Sequence, residues 1–258
     1  MPEESTRGRF VWYDLMTTDP EGAKAFYTAV TGWGTQVWEE MSYTMWTAGE
    51  TPIGGIMKLP DEAVAGGGRP HWLGYVSVPD VDATTARARE LGAKVMVPPT
   101  DIPTVGRYSI LADPQGALIA AYTPESAAPE PEGMPPVGEF SWHELATTDP
   151  EAAWSFYQDL FGWEKMSEFD MGSMGIYLIF GRRGTTMGGI FRKPAEMPGP
   201  PAWLYYARVA DVNAAVEAVN RQGGQVLNGP KEVPGGDWVA QILDPQGGPT
   251  AVHQVKSA

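Results

Sequence analysis

Two short phrases carry the residues best able to do chemistry, FVWYDLMTTDP at residues 10–20 and FSWHELATTDP at residues 140–150. Each sets a carboxylate two places after a tryptophan. In an extended strand Trp12 and Asp14 therefore share one face, as do Trp142 and Glu144. An indole offers a flat apolar wall, and a carboxylate accepts a hydrogen bond or balances a cation. A histidine or tyrosine within reach would add proton transfer, and near the ends of the two copies stand Tyr122 and His253. Asp14, Glu144 and His253 are thus the candidate catalytic groups. The plain alternative is that the tryptophans fill their own cavities and the carboxylates face water.

Other chemistries find little support. The three histidines, His71, His143 and His253, show no H-x-x-x-H or H-x-x-E-H spacing, and there is no cysteine. His143 and Glu144 are neighbours on a strand, so their side chains leave opposite faces. Neither a thiolate site nor a compact histidine metal site is expected, and no cofactor is assigned. Glycine pairs occur without a phosphate-loop lysine or a following helix, and no G-x-S-x-G elbow is present.

The balance of 32 acidic against 18 basic residues gives a net charge of −14. That potential repels phosphate backbones and anionic headgroups, so no nucleic acid and no membrane is expected as a partner. A small-molecule ligand remains, on a monomer or homodimer. The first residues, MPEESTRGRF, lack an apolar signal core, and no run is long enough to span a bilayer; a cytoplasmic protein is expected.

The elements that must position these residues are written twice. Gly8–Trp33 and Gly138–Trp163 align at an offset of 130 with 14 identities in 26 positions. Further on, TPIGGIMK pairs with TTMGGIFRK at an offset of 134, and PHWLGYVSVPDVDA with PAWLYYARVADVNA at 131. Each copy opens with a strand, then a helix that starts at Asp19–Pro20–Glu21 or Asp149–Pro150–Glu151 and stops at Gly32 or Gly162. Short strands follow, and the plan restarts at HWLGYVSV with a helix capped by Asp80, whose apolar face is Val81, Thr84, Ala88 and Leu91. A DPQG turn joins the closing strands. The spacing predicts β-α-β-β-β twice in each half, with domains at 8–124 and 138–255 and a proline-rich linker at 125–137.

The phrase strand, Asp19, six residues, Phe26–Tyr27, four residues, Gly32–Trp33, followed by the late DPQG hairpin, resembles the vicinal oxygen chelate superfamily. That family holds glyoxalase I, extradiol dioxygenases, fosfomycin resistance enzymes and bleomycin-binding proteins, and the nearest form is its tandem glyoxalase-like subgroup. The resemblance implies an α+β fold of two tandem glyoxalase-like domains, each of two βαβββ modules forming a cup-shaped, incompletely closed barrel that binds a ligand. It also implies metal-ligand positions, which fall here on Trp12, Leu73 and Ala120 and on Trp142, Leu204 and Ala251. None of these side chains offers a lone pair to a metal.

On the same resemblance Trp12 with Asp14, and Trp142 with Glu144, face the cups. Tyr75 and Tyr205 are expected to share a face with Leu73 and Leu204, and His253 to lie beyond Ala251 within reach of Glu144, where the first copy has Tyr122. Arg107–Tyr108, matched by Trp238–Val239, lies before the closing hairpin, so the two cups should differ in ligand. The ligand-binding candidates are Trp12, Asp14, Tyr75, Tyr108, Tyr122, Trp142, Glu144, Tyr205 and His253. The expected function is metal-independent binding of a small molecule, of the sequestration or resistance type. A glyoxalase-like lyase, isomerase or oxygenase-related enzyme is the alternative, and a structural protein with filled cups the second.

Overall fold

A computed structural model describes residues 7–126 and 133–256. Residues 127–132, within the proline-rich segment, lie outside the described residues. The first half contains β1 (Phe10–Thr17), α1 (Pro20–Thr31), β2 (Gly34–Trp38), β3 (Tyr43–Ala48), β4 (Thr51–Lys58), a short α2 (Asp61–Ala65), β5 (His71–Ser77), α3 (Val81–Glu90), β6 (Lys94–Ile102), β7 (Gly106–Ala112) and β8 (Leu118–Pro124). The second repeats the plan without α2: β9 (Phe140–Thr147), α4 (Pro150–Phe161), β10 (Glu164–Asp170), β11 (Ile176–Arg182), β12 (Thr185–Arg192), β13 (Ala202–Arg208), α5 (Val212–Arg221), β14 (Gln225–Glu232), β15 (Trp238–Leu243) and β16 (Pro249–Gln254).

Each half contributes one open eight-stranded sheet. The orders are β2-β3-β4-β1-β5-β8-β7-β6 and β10-β11-β12-β9-β13-β16-β15-β14. The first strand of a module pairs in parallel with its last, as β1 does with β4 and β5 with β8, because a helix and two antiparallel strands lie between them. The result is the α+β arrangement expected from the repeat, with neither sheet closed into a barrel.

The helix signals act as written. Asp19 accepts from the Gly22 N–H at 3.0 Å, and Asp149 from the Ala152 N–H at 3.2 Å, each ahead of a first-turn proline. Gly32 and Gly162 end these helices at φ +77° and +72°, backbone that L side chains rarely adopt. The buried faces are Ala23, Phe26, Tyr27 and Val30 in α1 and Ala153, Phe156, Tyr157, Leu160 and Phe161 in α4. One face differs from the sequence expectation. In α3 Thr85, not Thr84, is buried and bonds Ser109, while Thr84 Oγ1 turns back to the Asp80 carbonyl.

By packing, the chain divides into two compact units, and each draws on both halves. One comprises Met1–Val11, Gly74–Glu132 and His143–Trp203; the other comprises Trp12–Leu73, Gly133–Trp142 and Leu204–Ala258. Their cores are aromatic and built alike. In the first unit Phe10 stacks on His143 with ring centres 3.9 Å apart and meets Trp163 and Trp203. Tyr157 there takes a hydrogen bond from Trp203 Nε1 at 3.1 Å and donates to Asp113 Oδ2 at 2.8 Å. In the second unit Phe140 packs on Tyr13 at 4.0 Å and meets Trp33 and Trp72, and Tyr27 accepts from Trp72 Nε1 at 3.0 Å and donates to Asp244 Oδ2 at 3.1 Å.

The DPQG aspartates close these chains of bonds. Asp113 Oδ1 accepts from the Gln115 and Ala117 N–H groups, and Asp244 Oδ1 from those of Gln246 and Gly248. Burial pushes both carboxyls above the usual range even so. Phe10 is buried in the core of the first unit, with its ring stacked on His143.

Candidate functional site

Trp12 and Asp14 are brought together, and a third residue joins them. Trp12 Nε1 donates to Asp14 Oδ1 at 3.0 Å and lies 2.9 Å from Tyr43 Oη, and the Tyr43 hydroxyl also donates to Asp14 Oδ1. Asp14 is 4% exposed, while Trp12 is half-buried. The strand order explains how Tyr43 arrives. It stands on β3, two strands from β1, and must cross β4, where Gly55 lies opposite Asp14. A Cβ on Gly55 would sit 1.8 Å from Tyr43 Oη and 2.1 Å from the ring. The glycine is therefore the opening through which the phenol reaches the carboxylate. Burial, followed by the charge of Asp14, pushes the Tyr43 hydroxyl far up, so it remains a donor.

The second half repeats this device. Tyr177 on β11 donates to Glu144 Oε1 at 2.8 Å. It crosses Gly189, which lies opposite Glu144, and a Cβ there would meet the Tyr177 ring at 2.1 Å. Tyr43 and Tyr177 were not among the sequence candidates. Both sit at the 134-residue offset of the glycine-pair strands, which is the signal that could have marked them. Trp142, also half-buried, packs with Leu204 and Val233 against Tyr206, Val239 and Ala251. Gln241 Nε2 donates to the Tyr206 hydroxyl at 2.9 Å, setting a polar edge on that apolar wall.

This geometry makes a direct test of the crossing tyrosine. Gly55→Ala is expected to cost ~1–3 kcal/mol in urea unfolding because the new methyl must displace Tyr43. In a Tyr43→Ala background the same change should cost less than ~0.5 kcal/mol, a coupling that a double-mutant cycle reads directly. Equal costs in the two backgrounds would remove Tyr43 from its place over Gly55.

The remaining candidates are distributed as follows. Tyr75 is buried, with its ring 6.1 Å from Tyr108 and 6.4 Å from Tyr122. The Tyr122 hydroxyl donates to the Val105 carbonyl at 2.9 Å. Arg107 is held outside this group by Asp82 and Asp101 at 2.7 and 2.6 Å. Tyr205 requires correction as a wall residue: it has no exposed surface and packs edge-on to Tyr13 and Phe140. Strand alternation puts Tyr206, not Tyr205, on the face of Leu204.

His253 uses both ring nitrogens, Nδ1 with Ser141 Oγ at 2.8 Å and Nε2 with Asp237 Oδ2 at 3.0 Å. His143 and Glu144 leave opposite faces of β9: His143 lies in the core, where Nδ1 donates to the Met187 carbonyl at 2.7 Å. Burial lowers the His143 pKa to about 4, so the ring is neutral near pH 7.

The donor set does not fit a resident divalent ion. Leu73 is 3% exposed and Ala120 and Ala251 are fully buried, none with a donor atom, and an indole nitrogen donates only. Among the described residues no three His, Asp or Glu side chains group to hold a metal. What the arrangement offers instead is a tyrosine-held carboxylate in each half, Asp14 and Glu144, the first of them beside the half-buried Trp12 indole. Such a pair can seat a cation or hydrogen-bond donor on one side and a flat apolar group on the other.

Known proteins share this architecture. The Mn(II)-bound glyoxalase of Novosphingobium aromaticivorans superposes with a TM-score of 0.66 at 19% identity, covering 96% of this chain and 82% of its own. The 2,2',3-trihydroxybiphenyl 1,2-dioxygenase of Sphingomonas wittichii gives 0.70 at 13%, covering 96% and 90%. At these identities the likeness is one of fold. In sequence, the protein named "Putative glyoxylase CFP32" of Mycobacterium tuberculosis is 32% identical over 260 residues, 96% of this chain and 95% of that one. The anthracycline biosynthesis protein DnrV of Streptomyces peucetius is 28% identical over 266 residues, 96% and 94% of the two chains. The family description "Glyoxalase/Bleomycin resistance protein/Dioxygenase superfamily" matches residues 9–121 and 139–249, once in each half. With both halves matched and a relative above 30% identity aligned end to end, the chain belongs to the glyoxalase, bleomycin resistance protein and dioxygenase superfamily.

Proposed function

We propose that the protein binds a small, planar, amphipathic molecule without a metal ion, as a sequestering or carrier protein. The observation that carries this reading is the repeated carboxylate–tyrosine pair, Asp14 with Tyr43 and Glu144 with Tyr177, with Trp12, at a position where the family resemblance leads one to expect a metal ligand, hydrogen-bonded to the first. Hydrogen bonds that hold the carboxylate in place pre-organise it as an acceptor and lower the ordering cost of binding. The likeness to a protein of anthracycline biosynthesis supports a polycyclic aromatic ligand. The absence of a membrane-length apolar helix among the described residues is consistent with a ligand met in solution.

Doxorubicin, an anthracycline, is the probe we would titrate in the presence of EDTA while following tryptophan fluorescence. Saturable quenching is expected, and Trp12→Ala or Trp142→Ala should each weaken binding by ~1–3 kcal/mol when the substituted half is the one occupied. Asp14→Asn and Glu144→Gln should weaken the cationic probe more than a neutral aromatic of similar size, because the change removes charge and nearly preserves shape. No saturable binding by doxorubicin or by a panel of planar aromatics would overturn the reading. A second reading, glyoxalase-like catalysis, is favoured by the 32% identity to a protein named as a glyoxylase. Turnover that appears only on adding Mn(II) or Zn(II) would select it.

A further inference from the structure

The second half contains a constellation that the first lacks. Ser141 Oγ lies 2.8 Å from His253 Nδ1, and His253 Nε2 lies 3.0 Å from Asp237 Oδ2. The corresponding positions of the first half hold Val11, Tyr122 and Gly106, so the repeat itself does not require the grouping. Burial raises the Asp237 carboxyl, but the Lys256 N–H and His253 outweigh it and hold it below the usual range. An ionised Asp237 takes the Nε2 proton of His253 as its hydrogen bond, which leaves the Nδ1 lone pair facing the serine hydroxyl. That is a nucleophile, a base and an orienting acid in line, recognised by geometry rather than by sequence order.

The imidazole is used in the opposite sense from the best-known triads, but either ring nitrogen can serve as the base. His253 is 8% exposed at its side chain and Asp237 27%, so the base is sheltered while the acid reaches the surface. Ser141 is half-buried, and its hydroxyl has a second, longer partner in the Tyr206 carbonyl at 3.4 Å. Val239 stands directly opposite His253 and belongs to the wall with Tyr206, Ala251 and Trp142. An apolar or aryl group would find its contact surface there.

We infer that Ser141, His253 and Asp237 form an acyl-transfer site that hydrolyses activated esters bearing an apolar or aryl group. Ser141 Oγ attacks the ester carbonyl carbon while its proton passes to His253 Nδ1. The carbonyl–oxygen bond to the alcohol breaks, and the departing oxygen takes that proton. Water then attacks the acyl-serine, gives its proton to Nδ1, and the acid leaves as Ser141 regains its hydrogen. Ser141 lies within an extended strand and not on the strand-to-helix turn that presents oxyanion donors. A single such donor is worth ~10²–10³ in rate, so the site acts on activated esters and not on amides.

The full-length protein should be treated with a fluorophosphonate probe and digested for mass spectrometry, with p-nitrophenyl butyrate hydrolysis measured in parallel. The adduct is expected on Ser141. Ser141→Ala should abolish both labelling and esterase activity above the buffer rate, His253→Gln should slow labelling by at least ~100-fold, and Asp237→Asn by at least ~10-fold. Ser167→Ala, on an exposed strand, should behave as wild type. Circular dichroism shows whether each variant is folded, and the small Ser141→Ala change decides the question should His253→Gln unfold. An adduct elsewhere, no adduct, or an esterase rate unchanged in Ser141→Ala would overturn the assignment. Such an outcome leaves the aromatic-ligand reading intact, since that rests on Trp12, Asp14, Tyr43, Trp142, Glu144 and Tyr177.

Discussion

Trp163→Ala is expected to lower the free energy of unfolding by ~3–5 kcal/mol, the cost of emptying a close-packed aromatic site. Trp163 is 1% exposed and lies against Phe10, Tyr157, Phe161, Phe180 and Trp203. Its Nε1 also donates to the Gly8 carbonyl at 2.7 Å, so truncation leaves a buried acceptor without its donor. Trp163→Phe separates the two effects: it keeps most of the ring and should cost only ~1–2 kcal/mol for the lost hydrogen bond. Trp33, whose Nε1 donates to the Gly138 carbonyl at 2.6 Å, should show the same pair of values. Urea unfolding followed by circular dichroism measures both. A loss below ~1 kcal/mol for Trp163→Ala would mean that the aromatic cores do not hold the molecule together as described.

Lowering the pH from 7.5 to 4.5 should remove ~2–3 kcal/mol of stability through His143 alone, at about 1.4 kcal/mol for each pKa unit traversed. Burial lowers its pKa in the folded protein to about 4, against an ordinary value of 6.5. Between those two pH values the unfolded chain binds a proton that the native ring refuses, so stability rises with pH across the window and is lost as pH falls. Asp113 and Asp244 work the other way. Their raised carboxyls contribute stability below the ordinary value of 3.8 that is lost as pH rises through the raised values. A variant isolates the histidine. His143→Tyr takes the residue that the first half carries at Tyr13 and removes the titrating group. Its unfolding free energy should be flatter between pH 6.5 and 4.5 than that of the wild type, and equal slopes would show that His143 titrates normally.

Much of this architecture was legible because the sequence states it twice. The two DP-capped helices, the terminating glycines and the DPQG hairpins each follow from local backbone chemistry, and duplication removed chance as an explanation. That Trp12, Leu73, Ala120 and their counterparts offer no lone pair to a metal is a matter of residue type alone. Other features were not legible. The crossing of Tyr43 over Gly55 depends on which strand lies between β3 and β1, which no local pattern encodes. Tyr205, expected on the face of Leu204, lies in the core, because a one-residue slip in a period-two pattern reverses every side chain. Finally, Tyr27 bonds Asp244 and Tyr157 bonds Asp113, each reaching into the other half of the sequence. When two halves carry the same groups, a partner in one is chemically equivalent to a partner in the other, so sequence could not tell them apart.

The Ser141–His253–Asp237 grouping escaped for a related reason. Strand alternation sets His253 on the face of Ala251 but cannot name the partners of its ring nitrogens, which stand 112 and 16 positions away in the chain. Serine and aspartate are common residues, and only their replacement by Val11 and Gly106 in the first half sets Ser141 and Asp237 apart.

On the proposed reading the Asp14–Tyr43 and Glu144–Tyr177 pairs receive their ligand without an ion, and metal analysis of the dialysed protein decides that point. Inductively coupled plasma mass spectrometry should find well under one manganese, iron, nickel or zinc per chain, because metal affinity requires several donors converging on one point. Adding each ion and dialysing again should leave that value unchanged. One equivalent of any of them surviving dialysis, and lost from an Asp14→Asn or Glu144→Gln variant, would overturn the metal-free reading and place the ion at that carboxylate.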